Sequence, residues 1–257
     1  MRLLVRNILG AAWPLFKASL PVCLPLAVVG VAASATPGAE SLASGEGYGF
    51  VHSRDWWGVC VASILLTLVC YGAVLHQQLR RAADGRAPVL DSLRLATRRL
   101  PASLLLMLPM VLPLLLAMLV AAWHASSLLA WVLRLVALWL LVQAWFAWPA
   151  LLGGELSPGA ALAASIGTMR RHWREFAALL ATLAAAILVF ALLTGVLVGL
   201  ATGLAGQAVP VGGLALSRWL MALALALPVV YGSAVTVTAW RLLKAVPASP
   251  ALPASGT

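Results

Sequence analysis

Six long apolar runs dominate this chain and limit what it can fold into. They cover about Trp13–Ala35, Trp56–Leu79, Ala102–Trp123, Ser127–Trp148, Phe176–Leu204 and Val211–Trp240. A helix that crosses the hydrocarbon core of a bilayer needs roughly 20 mainly apolar residues, so each run is long enough to span a membrane. Lipid offers no partner to the unpaired backbone groups of an open sheet. The sequence therefore predicts an all-α polytopic membrane protein with six transmembrane helices.

The composition leaves no room for a separate soluble domain. Apolar residues make up 63% of the chain and charged residues only 9%, and the mean hydropathy over the whole length is +1.02. Soluble domains contain about 25% charged residues. We predict a single integral membrane domain over residues 1–244. Residues 245–257 are rich in proline, alanine and serine, and we predict a disordered cytoplasmic tail.

The basic residues predict the orientation of the chain. All but three of the 17 lysines and arginines fall before or at the start of the first run, before the third and fifth runs, or after the sixth. Basic residues are retained on the cytoplasmic side, so both termini are predicted to be cytoplasmic. This distribution also accounts for the net charge of +10 without a nucleic-acid partner. The natural contact of such a face is anionic lipid.

Two basic amphipathic segments precede the third and fifth runs. After Pro88, apolar residues stand at i, i+4, i+7 and i+11, and the same spacing follows Pro158. Each segment reads as a short helix in the cytoplasmic headgroup layer, which we call an elbow helix. The arginines predicted to contact lipid are Arg94, Arg98 and Arg99 in the first elbow helix, and Arg170, Arg171 and Arg174 in or just after the second.

The elbows indicate a loose threefold repeat of an elbow followed by two spans. A fainter third copy opens the chain, where Lys17-Ala18-Ser19-Leu20 resembles Pro101-Ala102-Ser103-Leu104. The predicted units cover about 1–80, 81–152 and 153–244. The first and third runs also share a proline pair that removes backbone hydrogen bonds and bends a helix. Such bends occur in transporters and equally as packing features of bundles.

Gly195, Gly199 and Gly203 recur every fourth residue in the fifth run. This spacing places bare backbone on one stripe, where a helix of the same chain or of a second copy could pack closely. Ordinary membrane-helix composition is the alternative explanation.

Catalytic chemistry has few candidate residues. The chain has four histidines, seven acidic residues and three cysteines, with no metalloprotease, serine-hydrolase, phosphate-loop or dinucleotide signature. We therefore predict no enzymatic activity, no catalytic residues, no metal site and no cofactor.

Two arginines fall inside the predicted spans, Arg134 in the fourth and Arg218 near the start of the sixth. An ionisable residue within a membrane is a candidate functional residue by default. Either both side chains snorkel to the outer interface, or they line a cavity for an anionic headgroup or solute together with Gln143.

The second elbow resembles a recurrent bacterial signature. The segment that begins Pro158-Gly159-Ala160 and continues through Arg170-Arg171-His172-Trp173-Arg174 is similar to uncharacterised six-helix inner-membrane families. These families are related to the membrane domain attached to some glycerophosphodiester phosphodiesterases. The resemblance extends loosely over spans two to six and implies a fold and a bacterial inner-membrane location. It implies no reaction, because the phosphodiesterase activity belongs to a separate soluble domain.

Two functional hypotheses follow. The first is a non-enzymatic inner-membrane protein that organises anionic lipid, or an unidentified membrane protein partner or second copy, through its basic elbows. The second is a transporter or channel for a small or amphiphilic anion.

Overall fold

The computed structural model describes residues 2–43, 54–85, 88–123, 128–154, 156–205, 210–211 and 214–245. Helices account for 94% of these residues. In chain order they are α1 (Arg2–Ala43), α2 (Arg54–Asp84), α3 (Val89–Arg98), α4 (Leu100–Trp123), α5 (Leu128–Gln143), α6 (Ala147–Gly153), α7 (Pro158–Arg171), α8 (Trp173–Ala205) and α9 (Leu216–Ala245). Strands β1 (Pro210–Val211) and β2 (Leu214–Ala215) form one short antiparallel pair. The predicted all-α class is confirmed, apart from this pair.

Four helical segments are long and apolar enough to cross a membrane, namely Val5–Ser34, Trp57–Asp84, Trp173–Phe190 and Met221–Lys244. Two bent pairs add two more if each pair is one span, namely Leu100–Pro109 with Val111–Ala117 and Leu128–Gln143 with Ala147–Gly153. The chain is a multi-pass membrane protein with four to six candidate spans.

Helices α1, α2 and α9 form the centre of the described structure. Helices α1 and α2 are antiparallel, since Gln78 Nε2 donates to Ser19 Oγ (3.3 Å) and Thr67 Oγ1 donates to the Gly30 carbonyl (3.0 Å). Gln78 Nε2 also lies 3.0 Å from the Val230 carbonyl of α9. Every residue in 72–78 and in 233–240 is buried. These stretches of α2 and α9 are therefore enclosed on all sides.

Two glycines allow the helices around α2 to approach closely. A Cβ atom at Gly30 would lie 3.2 Å from Cys70 Cβ, and one at Gly72 would lie 3.3 Å from Ala96 Cβ. Both distances are tighter than ordinary side-chain contacts. Glycine at these positions lets α1 and α3 pack directly on α2.

Helix α4 bends by 49° between Leu100–Pro109 and Val111–Ala117. It contains Pro109 and Pro113, and Pro113 has no amide hydrogen to donate to the carbonyl four residues earlier. The proline pair of the third run therefore coincides with a bend, as predicted. The pair in the first run does not interrupt its helix, because α1 continues through Pro21 and Pro25.

The fourth predicted span is broken between α5 and α6, which meet at 40°. The hydroxyl of Ser165 from α7 inserts at this break. It donates to the Gln143 carbonyl (2.6 Å) and accepts from the Phe146 amide (3.1 Å). A side chain that takes over backbone hydrogen bonds is a recognised cause of helix kinks. The six-run prediction did not include this break.

The elbow helices α3 and α7 form where predicted, but the residues that they bury coincide only in part with the predicted apolar positions. Ser157 Oγ accepts from the Ala160 amide and Pro158 is the first helical residue, which favours a helix start at α7. The buried residues are Ser92 and Ala96 in α3, and Ala161, Ser165 and Met169 in α7. Ala96 and Met169 belong to the predicted apolar positions, whereas Ser92, Ala161 and Ser165 do not, and the predicted position Val89 is exposed.

Two predicted boundaries differ from the structure. The faint third copy at the start of the chain is not a separate elbow helix, because α1 runs without a break from Arg2. Helix α9 begins at Leu216 rather than Val211, and the sequence before it contains two glycines, which have low helix propensity. The predicted tail lies outside the described residues, since α9 ends at Ala245.

Candidate functional site: a basic pocket at the ends of three helices

Helices α2, α6 and α9 meet at an apolar cluster near their C-terminal ends. Leu75, Leu152 and Val237 form this cluster, and each is buried. Leu15, Leu79 and Trp148 pack around it. The cluster brings together the last turns of three helices from distant parts of the chain.

A cavity of about 670 Å³ lies at these helix ends. We call it the basic pocket, because four of its lining side chains are cationic and one is acidic. These are Arg80 and Asp84 from α2, Arg99 from the α3–α4 junction, and Arg241 and Lys244 from α9. Leu152, Gly153 and Gly154 at the end of α6 complete the wall together with Trp240.

The cations of the basic pocket also hold its walls together. Arg241 donates to the Ala82 carbonyl, which joins α9 to the end of α2. Arg99 donates to the Leu156 carbonyl (3.5 Å), which joins α3 to the segment after α6. Arg241 thus satisfies a carbonyl in the last turn of α2, where positive charge is favoured, whereas the Leu156 carbonyl lies between α6 and α7. A guanidinium has five N–H donors, so donors remain for a ligand.

The remaining cations are less constrained. Arg80 pairs with Asp84 at 3.0 Å, and both side chains are more than half exposed. An exposed pair of this kind contributes little to stability. The Lys244 ammonium lies 5.8 Å from the centre of the Trp240 ring. The pocket therefore presents an excess of positive charge to any anion that enters it.

A buried polar network lies beside the pocket. His76 Nδ1 is 3.1 Å from Ser92 Oγ, and Ser92 Oγ donates to Gln77 Oε1 at 2.8 Å. Because the serine hydroxyl has only one hydrogen and gives it to Gln77, His76 Nδ1 must be the donor to Ser92. In this arrangement Ser92 is not activated by His76 as a nucleophile. The network ties α3 to α2.

The structure places the six arginines predicted to contact lipid in two kinds of environment. Arg99 lines the basic pocket and Arg170 lines a second cavity. The other four are exposed and line neither cavity, namely Arg94, Arg98, Arg171 and Arg174. Arg174 lies 5.5 Å from the ring centre of Trp173. Lipid contact by these residues stays a prediction.

The structure does not place Arg134 and Gln143 at one cavity. Arg134 is exposed and lies 5.1 Å from the ring centre of Trp131, whereas Gln143 lines the second cavity with Arg170. Nine residues separate the two along α5, which is about half a revolution of a helix. The side chain of Arg218 lies outside the described residues. The anion cavity stays a prediction.

The predicted glycine stripe has little support among the described residues. Gly195 is exposed, and a Cβ atom there would meet nothing within 4 Å. The surroundings of Gly199 and Gly203 lie outside the described residues, so packing against a second copy stays a prediction. The close contacts occur instead at Gly30 and Gly72, which the sequence analysis missed because neither belongs to a repeated spacing.

Sequence reasoning also missed most of the basic pocket. Arg80, Arg241 and Lys244 were counted only as orientation signals. The available signal was their position in the last turns of two different spans, which ought to lie at the same membrane face. Within the described ranges, no group of three or more His, Cys, Asp or Glu side chains could hold a metal ion.

Comparison with protein-family models, with curated proteins and with solved structures finds no match to this chain.

Proposed function

We propose that this chain is a non-enzymatic multi-pass protein of a bacterial inner membrane that holds the phosphate-bearing headgroups of anionic lipids in its basic pocket. The observation that carries this proposal is the excess of cations around one open cavity of about 670 Å³. Pockets of a few hundred Å³ suit small ligands, and basic pockets between membrane helices on the cytoplasmic side suit anionic headgroups.

The proposed topology has six spans and two cytoplasmic termini. The antiparallel pairing of α1 with α2 supports it, because Arg6 then lies at the same end of the bundle as Arg80 and Arg81. The basic pocket lies at this end. Retention of basic residues on the cytoplasmic side assigns that end to the cytoplasm. Each bent pair then counts as one span.

The burial pattern supports the proposed threefold repeat. The two elbows align if Ser92 is matched with Ser165, and the first unit aligns if Ser19 is matched with Ser103. At three aligned positions, the residues of all three units are at most 4% exposed. These sets are Ile8, Ser92 and Ser165; Ala12, Ala96 and Met169; and Ser19, Ser103 and Phe176. The meeting of α2, α6 and α9 at Leu75, Leu152 and Val237 fits the same arrangement, because each helix ends one of the proposed units.

We retain as part of the proposal the relationship to six-helix inner-membrane families and to the membrane domain of some glycerophosphodiester phosphodiesterases. The second elbow, Pro158 to Phe176, is the segment that carries this resemblance. A protein partner or a second copy also stays within the proposal. The exposed apolar residues of α8, such as Leu188 and Leu192, would be available to a protein partner, to a second copy or to lipid.

The test of the proposed function is lipid binding by the purified full-length protein, measured by native mass spectrometry with phosphatidylglycerol and phosphatidylcholine. We expect the paired change Arg241→Gln and Lys244→Gln to weaken phosphatidylglycerol binding about tenfold or more, since hydrogen bonds to charged groups are strong. The matched control is Arg94→Gln with Arg98→Gln, which removes the same charge from positions outside the pocket lining. Equal losses in the two double variants would refute specific binding in the pocket.

Transport of a small or amphiphilic anion is the alternative. The 49° bend in α4 is the observation that favours it. The buried Leu75, Leu152 and Val237 cluster counts against an open path beyond the pocket. Anion flux in liposomes discriminates between the two functions, and lipid binding without flux is the result that we expect.

A further inference from the structure

A second cavity, of about 360 Å³, lies where the end of α5 meets α7 and the start of α8. We call it the α7–α8 cavity. It shares no lining residue with the basic pocket. Its wall is apolar over most of its area, including Trp173, Phe176 and Leu180. Arg170 and Gln143 supply the charged and polar groups.

Each of these two polar residues carries a group without a suitable partner among the described residues. Arg170 is exposed, and no carboxylate pairs with it among the residues that the structure describes. The Gln143 side-chain oxygen Oε1 is buried and has no hydrogen-bond partner. A buried acceptor without a donor is costly. The cavity thus lacks a negative charge beside Arg170, and a rotation of the Gln143 amide would relieve its unsatisfied oxygen if a donor entered the cavity.

Gln143 is held in place by the break between α5 and α6. Its backbone carbonyl accepts from Ser165 Oγ (2.6 Å), and Ser165 is fully buried within α7. Arg170 follows five residues later on the same helix. One elbow helix therefore fixes both polar residues relative to each other.

We propose that the α7–α8 cavity binds one phospholipid whose headgroup carries a hydrogen-bond donor beside its phosphate. Arg170 binds the phosphate, and the Gln143 amide, which lines the cavity, turns its buried Oε1 towards the ligand and accepts from a headgroup hydroxyl. The first part of the acyl chains lies against Trp173, Phe176 and Leu180. A phospholipid fits better than a soluble anion, because the exposed surface of α8 beyond the cavity continues with Ile187, Leu188 and Val189.

This inference shares one premise with the proposed function, namely that α7 lies at a membrane surface. It does not depend on the basic pocket. A variant that empties one site is expected to leave the other site occupied, so failures of the two proposals can be told apart.

The experiment uses the full-length protein in nanodiscs with a photoactivatable phosphatidylglycerol, and crosslinks to residues 166–180 are quantified by mass spectrometry. Unlabelled phosphatidylglycerol and phosphatidylmethanol are the competitors. They carry the same charge, but only the first has headgroup hydroxyls. We expect phosphatidylglycerol to compete about fivefold better, the effect of one hydrogen bond. Gln143→Met is expected to abolish this difference.

Arg170→Gln is expected to reduce the crosslinks about tenfold. Arg171→Gln, which removes the neighbouring exposed charge outside the cavity lining, is expected to reduce them less than twofold. The paired change at Arg241 and Lys244 is expected to leave them unchanged. Equal competition by the two lipids in the unmodified protein would overturn the proposal, and this comparison decides it even if Gln143→Met fails to fold. Equal losses in the Arg170 and Arg171 variants would also overturn it.

Discussion

Ser92 and Ser165 are both fully buried, and each forms hydrogen bonds with the helices that precede its own elbow helix. Ser92 contacts His76 and Gln77 at the end of α2. Ser165 contacts the backbone at the break between α5 and α6, where, among the described residues, it is the partner of Gln143 O and Phe146 N. In both elbows the hydroxyl of a buried serine fixes the amphipathic helix to the preceding span.

Ser165→Ala tests this role directly. The change leaves the Gln143 carbonyl and the Phe146 amide without the partner that they have at the break, so we expect a loss of about 1 to 3 kcal/mol in the free energy of unfolding. Unfolding in mixed detergent, followed by circular dichroism, measures it. Ser34→Ala is the matched control, because Ser34 is exposed and donates only to the Val31 carbonyl of its own helix. A control as destabilised as Ser165→Ala would contradict the role.

Gly30→Val is expected to separate α1 from α2. Its branched side chain would collide with Cys70 Cβ, which an added Cβ alone would approach to 3.2 Å. Overpacking of this kind typically costs about 1 to 3 kcal/mol. Thermal unfolding of the purified protein reports the loss. Gly10→Val in the same helix is the control, since nothing lies within 4 Å of a Cβ there. If both variants lost a comparable amount of stability, the lower helix propensity of valine would be the cause and not the contact with α2.

Arg99→Gln is expected to weaken phosphatidylglycerol binding in the basic pocket about tenfold. Arg99 lines this pocket, and the change removes the hydrogen bonds of its charged guanidinium to the lipid phosphate. The neighbouring Arg98→Gln removes the same charge from an exposed position outside the lining. We expect less than a twofold change for that variant. Titration by native mass spectrometry compares the two, and a stronger effect at Arg98 would argue for diffuse attraction to the whole face.

Arg94→Cys tests the orientation. The residue is exposed on α3, so a membrane-impermeant maleimide is expected to label it in inverted vesicles and not in intact spheroplasts. Cys23 and Cys70 are buried free thiols, and Cys60→Ala lowers the remaining background. Labelling of Arg94→Cys from outside the intact cell would reverse the proposed topology.

The sequence predicted the helical class and the elbows because hydrophobic length and 3.6-residue periodicity are local properties. It did not predict the break after Gln143, because the cause is Ser165, a residue in another helix. The buried faces of the elbows were predicted only in part for a related reason. Small side chains such as Ser92 and Ala161 mark the contact with neighbouring helices, and an apolar pattern does not single them out.

The candidate sites show the same limit. Arg99 and Arg170 belonged to a predicted set, but their sequence pattern does not distinguish them from Arg98 and Arg171, which line neither cavity. The difference arises from where α6, α9 and α5 end, and therefore from tertiary packing. Arg241 could be assigned to the pocket only once α9 was known to lie beside α2.

The enclosed stretches of α2 and α9 give the bundle a mechanical asymmetry. In the last candidate span, Met221–Lys244, half of the most apolar window is buried. In Trp173–Phe190 only 17% of that window is buried. A bilayer that thickens or thins acts first on lipid-facing helices, which tilt at modest cost. The inner core would keep its shape while α8 adjusts, so changes in membrane thickness would reach the peripheral α7–α8 cavity before they reach the basic pocket.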